Sequence, residues 1–454
     1  MPAQRKSPNL LTTLLLFVLA VLPGAAQQVF PPALSVENAS ERALSQDPRT
    51  RIADAAVKSN EAALAEARTG KQPIVQFTQS IIRSNNPVFV FGSRLEQGRF
   101  RSSNFALDAL NDPDGLFNFR TAISVQKPLF DQRQTRSRVS QAELEKRRSE
   151  FQGESIRQQL RFDVVRNYFA AVLAKEMLKV NDEALRSAEA NVKKAKDMVE
   201  VGMTTDADFL AAEVEAANVN QQKLEAESNV VTTAAALNIA LGAPPEFEFE
   251  YTTSIVERYF PIDSREELLR AAFENRADYK RAEIALEVAR ARSRGVRDQK
   301  LPSVNAFGNL GYSSPYLANG STDYTVGVNL TYTLFDPGRK ARIEQTVTAE
   351  TIAAAELDAL ANQIRLEVIR AEQNFKTARA RIQVSVKTIE QATEALRIVQ
   401  DRYKFGLTTF NEVLRAESAL VRAKHNLLAS RYEYYVSYAS VLLATGRLTN
   451  ASAF

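Results

Sequence analysis

The placement of proline constrains this chain more than any other feature of its sequence. No proline occurs in 129–243, 262–301 or 338–454, and proline inside a helix removes a backbone hydrogen bond and clashes with the preceding turn. Alanine, leucine, glutamate, lysine, arginine and glutamine dominate these tracts, and apolar residues recur at steps of three and four, which is typical of amphipathic helices. A helix over 132–200 would be roughly 100 Å long at about 1.5 Å per residue. Helices of this length need partner helices to cover their apolar faces.

Four shorter segments have the two-residue period of β-strands, at about 73–82, 121–130, 302–312 and 324–335. Each has about ten residues, close to the roughly 9–11 of a transmembrane β-strand. A half-buried strand of a soluble sheet shows the same alternation, so the strands alone leave both interpretations open. In the membrane interpretation, the apolar face of the last strand meets lipid through Val326, Val328, Leu330 and Leu334.

Residues 1–26 have the features of a secretory signal peptide, with Arg5 and Lys6 ahead of an apolar run and small residues at 24–26. The apolar run has about 13 residues, shorter than the roughly 20 of a spanning helix, and no later segment is long and apolar enough. Cysteine is absent, which excludes disulfides, thiolate metal sites and a lipidated amino-terminal cysteine. The sequence therefore predicts an exported protein of the Gram-negative envelope that is not anchored by a lipid.

Charge and histidine content argue against other classes of function. Lysine and arginine nearly balance aspartate and glutamate, so nucleic-acid binding is not expected. His425 is the only histidine, and the chain has neither a glycine-rich phosphate loop nor a nucleophile elbow. We therefore expect no enzymatic activity, no catalytic residue, no cofactor and no metal, and we interpret His425 as a solvated or interhelical side chain.

An internal repeat relates the two halves of the chain. The strand end Leu129–Asp131 recurs as Leu334–Asp336 at an offset of 205, and the glycine segment Val201–Thr204 recurs as Phe405–Thr408 at an offset of 204. The first half carries about 24 additional residues in its strand-to-strand connection. Two copies of one unit are therefore predicted, each consisting of a helix, two strands and a long helical hairpin.

This organisation predicts four segments along the chain: a signal peptide (1–26), a first repeat (27–243), a linker (244–262) and a second repeat (263–454). The helical hairpins are expected at 132–242, with a tip near 202, and at 338–446, with a tip near 406. Four strands cannot close a barrel, and open strand edges in lipid leave backbone groups unpaired. If the strands span a membrane, several copies must assemble, with eight strands from two copies or twelve from three.

The order and spacing of these motifs resemble the TolC family of outer-membrane efflux proteins over nearly the whole mature chain. The resemblance rests on the repeat, the paired Leu-Phe-Asp strand ends, the glycine tips and the last helical segment, Ser440–Gly446. It implies a mainly α fold with transmembrane β-strands: a homotrimer forms a 12-stranded β-barrel in the outer membrane, and a long coiled-coil α-helical barrel continues it into the periplasm. The implied function is a passive exit duct. It would carry substrates to the exterior from an inner-membrane pump of the RND or ABC type, to which a periplasmic adaptor (membrane fusion) protein connects it.

The resemblance also assigns roles to individual residues. Adaptor docking falls to the tips, namely Val201, Gly202, Met203, Thr204, Phe405, Gly406, Leu407 and Thr408. Candidates for the periplasmic aperture are Asp208, Tyr403, Glu412 and Arg415. Glu412 matches the first acidic position of the family, whereas Arg415 stands where the family commonly has aspartate, which departs from a purely anionic aperture.

Two alternatives from other classes explain part of the sequence. A periplasmic adaptor also has a long helical hairpin, but it should carry glycine-rich β segments around a single hairpin, and this chain has two hairpin units. A structural coiled-coil protein of the envelope would explain the helices but not four strands at repeat-matched positions.

Overall fold

In a computed structural model, the described part of the chain comprises residues 33–256, 258–450 and 454. The predicted signal peptide lies outside the described residues. The fold is mainly helical, with one four-stranded antiparallel sheet and one short two-stranded sheet. The helices are α1 (Val36–Gln46), α2 (Pro48–Arg68), α3 (Pro87–Glu96), α4 (Leu107–Asn111), α5 (Gln134–Glu200), α6 (Asp206–Ala240), α7 (Arg265–Asn275), α8 (Ala277–Asp298), α9 (Arg339–Lys404) and α10 (Phe410–Ala444). The strands are β1 (Ala33–Leu34), β2 (Ile74–Ser84), β3 (Leu116–Asp131), β4 (Glu250–Tyr251), β5 (Ser303–Ser314) and β6 (Ser321–Thr331).

The two long hairpins have matched dimensions. Helices α5 and α9 contain 67 and 66 residues, and α6 and α10 contain 35 each. At about 1.5 Å per residue, the long helices extend for roughly 100 Å and the return helices for roughly half of that. Each return helix therefore covers only the half of its long partner that is nearer the tip.

The remaining halves of the long helices pack against shorter helices. Helix α2 lies on α5, and α8 lies between α5 and α9. The end of α6 meets the junction of α1 and α2, where the Arg42 guanidinium donates to the Leu241 carbonyl at 3.2 Å. The end of α10 meets the junction of α7 and α8, where Arg276 donates to the Ala444 carbonyl at 3.3 Å and pairs with Asp278 at 2.6 Å. The short helices thus continue the return helices and cover the halves of α5 and α9 that are nearer the sheet.

Aromatic and aliphatic side chains form a central core where these helices meet. This core includes Leu160, Tyr168, Phe169, Ile364, Phe375, Tyr434 and Tyr435, all fully or almost fully buried. Three of its tyrosine hydroxyls bind the chain between the hairpins: Tyr168 accepts from the Thr253 amide at 2.9 Å, Tyr434 accepts from the Phe260 amide at 3.0 Å, and Tyr435 donates to the Val256 carbonyl at 3.0 Å. The predicted linker is therefore fixed around the core, and the ring of Phe454 also packs there.

The four-stranded sheet has the order β2-β3-β5-β6, with every pair antiparallel. All four strands extend further than expected toward the strand-to-strand connections, as the pairs Ser84 with Leu116 and Ser313 with Ser321 show. The fourth ends earlier than the predicted residue 335, because its partner β5 begins at Ser303, opposite Thr331, and offers no backbone beyond that point. Leu334 therefore lies outside the strand, which corrects its predicted place on β6.

The residues that the structure describes contain no helix long and apolar enough to cross a bilayer. In the same ranges, no group of histidine, cysteine, aspartate or glutamate side chains has the proximity that a metal ion would need.

Candidate functional site

The sheet presents two faces of opposite character. Because residues that are paired across antiparallel strands share a face, the register places Val75, Val125, Gly308 and Val326 in one row, and Phe77, Ile123, Leu310 and Tyr324 in the next. The alternate positions form a polar face with rows such as Gln76, Ser124, Asn309 and Thr325. One face of the sheet is thus suited to an apolar environment and the other to water.

Three of the four residues predicted to face lipid lie on the apolar face. Val326, Val328 and Leu330 alternate along β6 and are 64–79% exposed in the single chain. Leu334 is exposed as well, but it follows the end of the strand. Strand β6 and its counterpart β2 form the two edges of the sheet, and neither edge has a further strand beside it among the described residues.

A charged group lies on the polar face, and sequence reasoning did not identify it. Arg120 of β3 pairs with Asp323 of β6 at 3.2 Å and with Glu96 at the end of α3 at 3.1 Å. Arg120 precedes the expected start of its strand at 121, so its place on a sheet face was not visible. A strand boundary set five residues earlier would have shown the alternation of Arg120 with its apolar neighbours.

The hairpin tips have the same backbone construction. At the first tip, the Met203 amide donates to the Met198 carbonyl and the Gly202 amide to the Val199 carbonyl, both at 2.9 Å. This is the Schellman pattern, which requires a left-handed residue, and Gly202 has φ +69°. The equivalent bonds at the second tip link Leu407 to Arg402 and Gly406 to Tyr403, with φ +68° at Gly406.

Both tips expose apolar side chains. Val201, Met203, Phe405 and Leu407 are 65–78% exposed, and a Cβ atom added to either tip glycine would contact no other residue within 4 Å. Backbone geometry therefore explains why glycine is needed, but it does not explain why apolar residues flank it. Large apolar side chains at the exposed end of a rod are typical of a protein-binding surface.

The structure brings two of the aperture candidates together. Thr204 and Thr205 donate their hydroxyls to Asp208 at 2.7 and 3.1 Å. The Thr204 hydrogen bond, partly opposed by desolvation, lowers the pKa of the Asp208 carboxyl. Burial, and then the negative charge of Asp208, raises the pKa of the Tyr403 phenol. Asp208 and Tyr403 thus lie around Thr204, where the two hairpins meet.

A small apolar cluster supports this contact between the hairpins. Tyr403 packs against Phe410 at 5.5 Å between ring centroids, and its hydroxyl lies 3.6 Å from the Met198 sulfur. The buried members of the cluster are Ala195, Ala212, Phe410 and Leu414. With two alanines among four buried residues, the cluster has much less apolar volume than the central core.

The other two aperture candidates form a separate pair. Arg415 donates to Glu412 at 3.0 Å across one helical turn, and both side chains are largely exposed. Such a pair contributes little to the stability of a single chain. Neither residue is hydrogen-bonded to Asp208 or Tyr403, so any role at an aperture depends on neighbouring chains.

A polar layer between the hairpins was also missed at the sequence level. Glu417 accepts hydrogen bonds from Asn191 and Gln400, and Ser418 donates to Glu215 at 2.6 Å. Burial raises the pKa of Glu417 and lowers that of His425. The partners of Glu417 and Ser418 lie on three other helices, α5, α6 and α9, so the periodicity of a single helix could not have predicted the layer.

A two-faced sheet that continues into two helical hairpins with exposed tips is the arrangement of a channel of the bacterial outer membrane. The chain belongs to the outer membrane efflux protein family, whose model matches residues 39–243 and 268–447. This result confirms the expected family, the outer-membrane localisation and the function as an exit duct. The family consists of channel proteins.

Individual relatives agree with this assignment. The chain is 23% identical over 335 residues to the outer membrane protein TolC of Vibrio cholerae, covering 72% of this chain and 76% of that protein. It is 23% identical over 332 residues to the outer membrane efflux protein BepC of Brucella suis, covering 72% of each. The fold is similar to that of the Campylobacter jejuni CmeC outer membrane channel, with a TM-score of 0.78 and 18% identity over 92% of this chain and 86% of that one.

Proposed function

We propose that three copies of this chain form a 12-stranded β-barrel in the outer membrane, continued by a helical tube into the periplasm. The observation that carries the proposal is the four-stranded sheet with an apolar face and two edges that pair with no other strand among the described residues. In lipid, edge strands with unpaired backbone groups are too costly to persist, so they must pair with other strands. Strands β2 and β6 have 11 residues each and run in opposite directions, as antiparallel pairing between neighbouring copies requires.

The number of copies follows from the family resemblance together with the strand count. Four strands per chain give 12 in a trimer, with the polar faces lining a water-filled lumen and the apolar faces meeting lipid. The matched lengths of α5 with α9 and of α6 with α10 support the proposed division into a first repeat (27–243), a linker (244–262) and a second repeat (263–454). Six long hairpins per trimer would then enclose the periplasmic part of the duct.

At its periplasmic end, the duct docks onto an adaptor protein that connects it to an inner-membrane pump of the RND or ABC type. The exposed apolar residues Val201, Met203, Phe405 and Leu407 support this role, because burying them against a partner removes them from water. Docking at both tips would let one trimer present six apolar tips, three of each kind.

The aperture is held closed where the hairpin tips meet. Asp208 and Tyr403 link the two hairpins of one chain around Thr204, and the paired Glu412 and Arg415 of each copy form a charged ring near the axis. The small apolar cluster beneath them gives this end less packing energy than the core, as a gate that must open requires.

Export by variants of the tips tests the docking role. Met203→Asp combined with Leu407→Asp should abolish export of a substrate of the system, because charged side chains cannot be buried in an apolar contact, while trimers remain in the membrane. The matched control, Met203→Leu combined with Leu407→Met, keeps the apolar volume and should export normally. Normal export by the double aspartate variant would remove the docking role.

A further inference from the structure

We propose that the connection between β2 and β3, residues 85–115, folds across the lumen at the outer end of the barrel and limits the size of the solutes that pass. This inference rests on the proposed function, because it takes the polar face of the sheet as the wall of the lumen. The connection between β5 and β6 at the same end has only residues 315–320. The longer connection contains α3, a 3-10 turn and α4.

The topology places this connection away from the periplasm. Both strand-to-strand connections lie at one end of the sheet, whereas α2, α5, α8 and α9 join the strands at the opposite end. Because the helices extend into the periplasm in the proposed assembly, residues 85–115 lie at the outer opening.

Hydrogen bonds hold residues 85–115 against the polar face of the sheet and not against its apolar face. The Gln97 side-chain amide donates to the Phe117 carbonyl at 2.8 Å and to the Asn118 side-chain oxygen at 3.1 Å. Asn118 shares a face with Arg120, since successive even positions of β3 point to one side. Gln97 and Asn118 are both buried, so water does not compete for these bonds.

The connection also crosses several strands. Glu96 at the end of α3 pairs with Arg120 of β3, which in turn pairs with Asp323 of β6. Gly98, with φ +65°, passes so close to β6 that an added Cβ would lie 3.4 Å from the Ser321 Cβ. The end of α3 and the residues just after it, Glu96–Gly98, therefore lie over the outer ends of β3, β5 and β6, the strands that would form most of one copy's share of the lumen wall.

The connection has a packed interior of its own. Val90 and Ser93 of α3 are buried, and the ring of Phe100 makes edge contacts with Phe91 at 4.8 Å and with Phe105 at 5.1 Å. The buried side chains of α3 favour one arrangement of this helix on the sheet, although Phe105 remains 64% exposed. In a trimer, three such units would narrow the outer opening by a fixed amount.

Thiol labelling tests the constriction, because the chain has no cysteine of its own. Asn309→Cys places a thiol on the polar face below α3, and Leu317→Cys places one in the exposed connection at the outer end. Each would be introduced into the full chain and into a variant in which residues 87–111 are replaced by a short glycine-serine linker. Register pairs Ser84 with Leu116, so a short linker can join the two strands. Intact cells would be treated with a small membrane-impermeant methanethiosulfonate or a large polyethylene glycol maleimide.

We expect the small reagent to label Asn309→Cys in both backgrounds. The large reagent should label it about tenfold faster in the shortened variant, equivalent to about 1.4 kcal/mol of barrier. Leu317→Cys should react with both reagents at similar rates in both backgrounds. As a second variant that keeps the chain length, Glu96→Ala with Gln97→Ala should also accelerate the large reagent by releasing α3 from the sheet.

Two results would contradict different parts of the account. Equal rates for the large reagent at Asn309→Cys in the full chain and both variants would overturn the constriction while leaving the channel intact. No labelling of Asn309→Cys by the small reagent in the shortened variant, with Leu317→Cys labelled, would show that the polar face does not line an open lumen, which overturns the proposed barrel itself.

Discussion

The central core and the four-stranded sheet differ in how far they bury their apolar side chains. In the core, Phe169 and Phe375 are completely buried within one chain, whereas Phe77 and Val326 on the sheet are 69% and 79% exposed. The core therefore buries its apolar side chains within the single chain, whereas the apolar side chains of the sheet remain exposed in it. A single chain thus contains one region that buries its apolar surface by itself and one that, in the proposed assembly, is covered by lipid and by further copies.

The largest effect on stability is expected in the core. Phe375→Ala removes a fully buried ring that stacks on Tyr434 with centroids 5.0 Å apart, and it should cost about 3–5 kcal/mol. The same truncation on the sheet, Phe77→Ala, should barely change stability in detergent, since lipid and detergent tails replace the lost contacts. Thermal unfolding followed by circular dichroism would compare the two, and equal losses would mean that the sheet is buried like the core.

The next prediction separates the two faces of the sheet. Val328→Arg on the apolar face should cost about 2–4 kcal/mol if it lies near the bilayer midplane, whereas Asn329→Arg on the polar face should be tolerated because that side meets water. The yield of folded protein in the outer membrane measures both. Equal damage from the two changes would indicate a soluble sheet covered on both faces.

A smaller effect is expected where the core holds the linker. Tyr168→Phe removes a buried hydroxyl that donates to the Leu34 carbonyl at 2.8 Å and accepts from the Thr253 amide. Both backbone groups lose a partner, so the change should cost about 1–3 kcal/mol with the ring packing retained. Denaturant unfolding would measure the loss, and Tyr403→Phe, whose hydroxyl contacts the Met198 sulfur at 3.6 Å and Thr204 in a partly exposed place, serves as the comparison.

The smallest effect on stability is expected at the hairpin tips, where the effect on function is large. Asp208→Ala, Tyr403→Phe and Glu412→Ala together should lower stability by under about 1 kcal/mol per residue. They should nevertheless raise conductance in planar bilayers and admit large antibiotics such as vancomycin to intact cells. An unchanged conductance in correctly assembled trimers would indicate that apolar packing between the helices, and not these three residues, holds the aperture closed.

Acid should weaken the contacts of Asp208 at the hairpin tips. The pKa of Asp208 is lowered in the folded state, so its stabilising effect is present above the ordinary value of 3.8 and is lost as pH falls through the lower folded value. Single-channel conductance of the unmodified protein should therefore rise at pH values below about 4. Asp208→Asn should remove this step, and a step that persists in that variant would point to another carboxylate.

The helical architecture could be predicted because its signals are local. The absence of proline, the helical periodicity and the glycines at 202 and 406 define the hairpins. Both glycines have the left-handed backbone that such turns require. Two-residue alternation likewise identified four strands, although a pattern alone could not set their ends. The end of β6 depends on where β5 begins, which is a contact between strands and not a property of 324–335.

The parts that escaped prediction depend on residues far apart in sequence. Arg120 and Asp323 are 203 residues apart, and Gln97 reaches strand β3 only because α3 folds back over the sheet. The linker gave no sign that Tyr434 and Tyr435 would bind its backbone. Asp208 and Tyr403 were assigned to the aperture by family resemblance, and their positions around Thr204 depend on the contact between the two hairpins.

The central claim is that the sheet is completed by other copies of the same chain in lipid. Native mass spectrometry of the mature protein, released from detergent, measures the number of chains directly. The account predicts an assembly of three chains that dissociates only with loss of the β-structure. A stable single chain that remains dispersed without detergent would contradict it, because the exposed apolar face and the two free edges of its sheet would then need no partner.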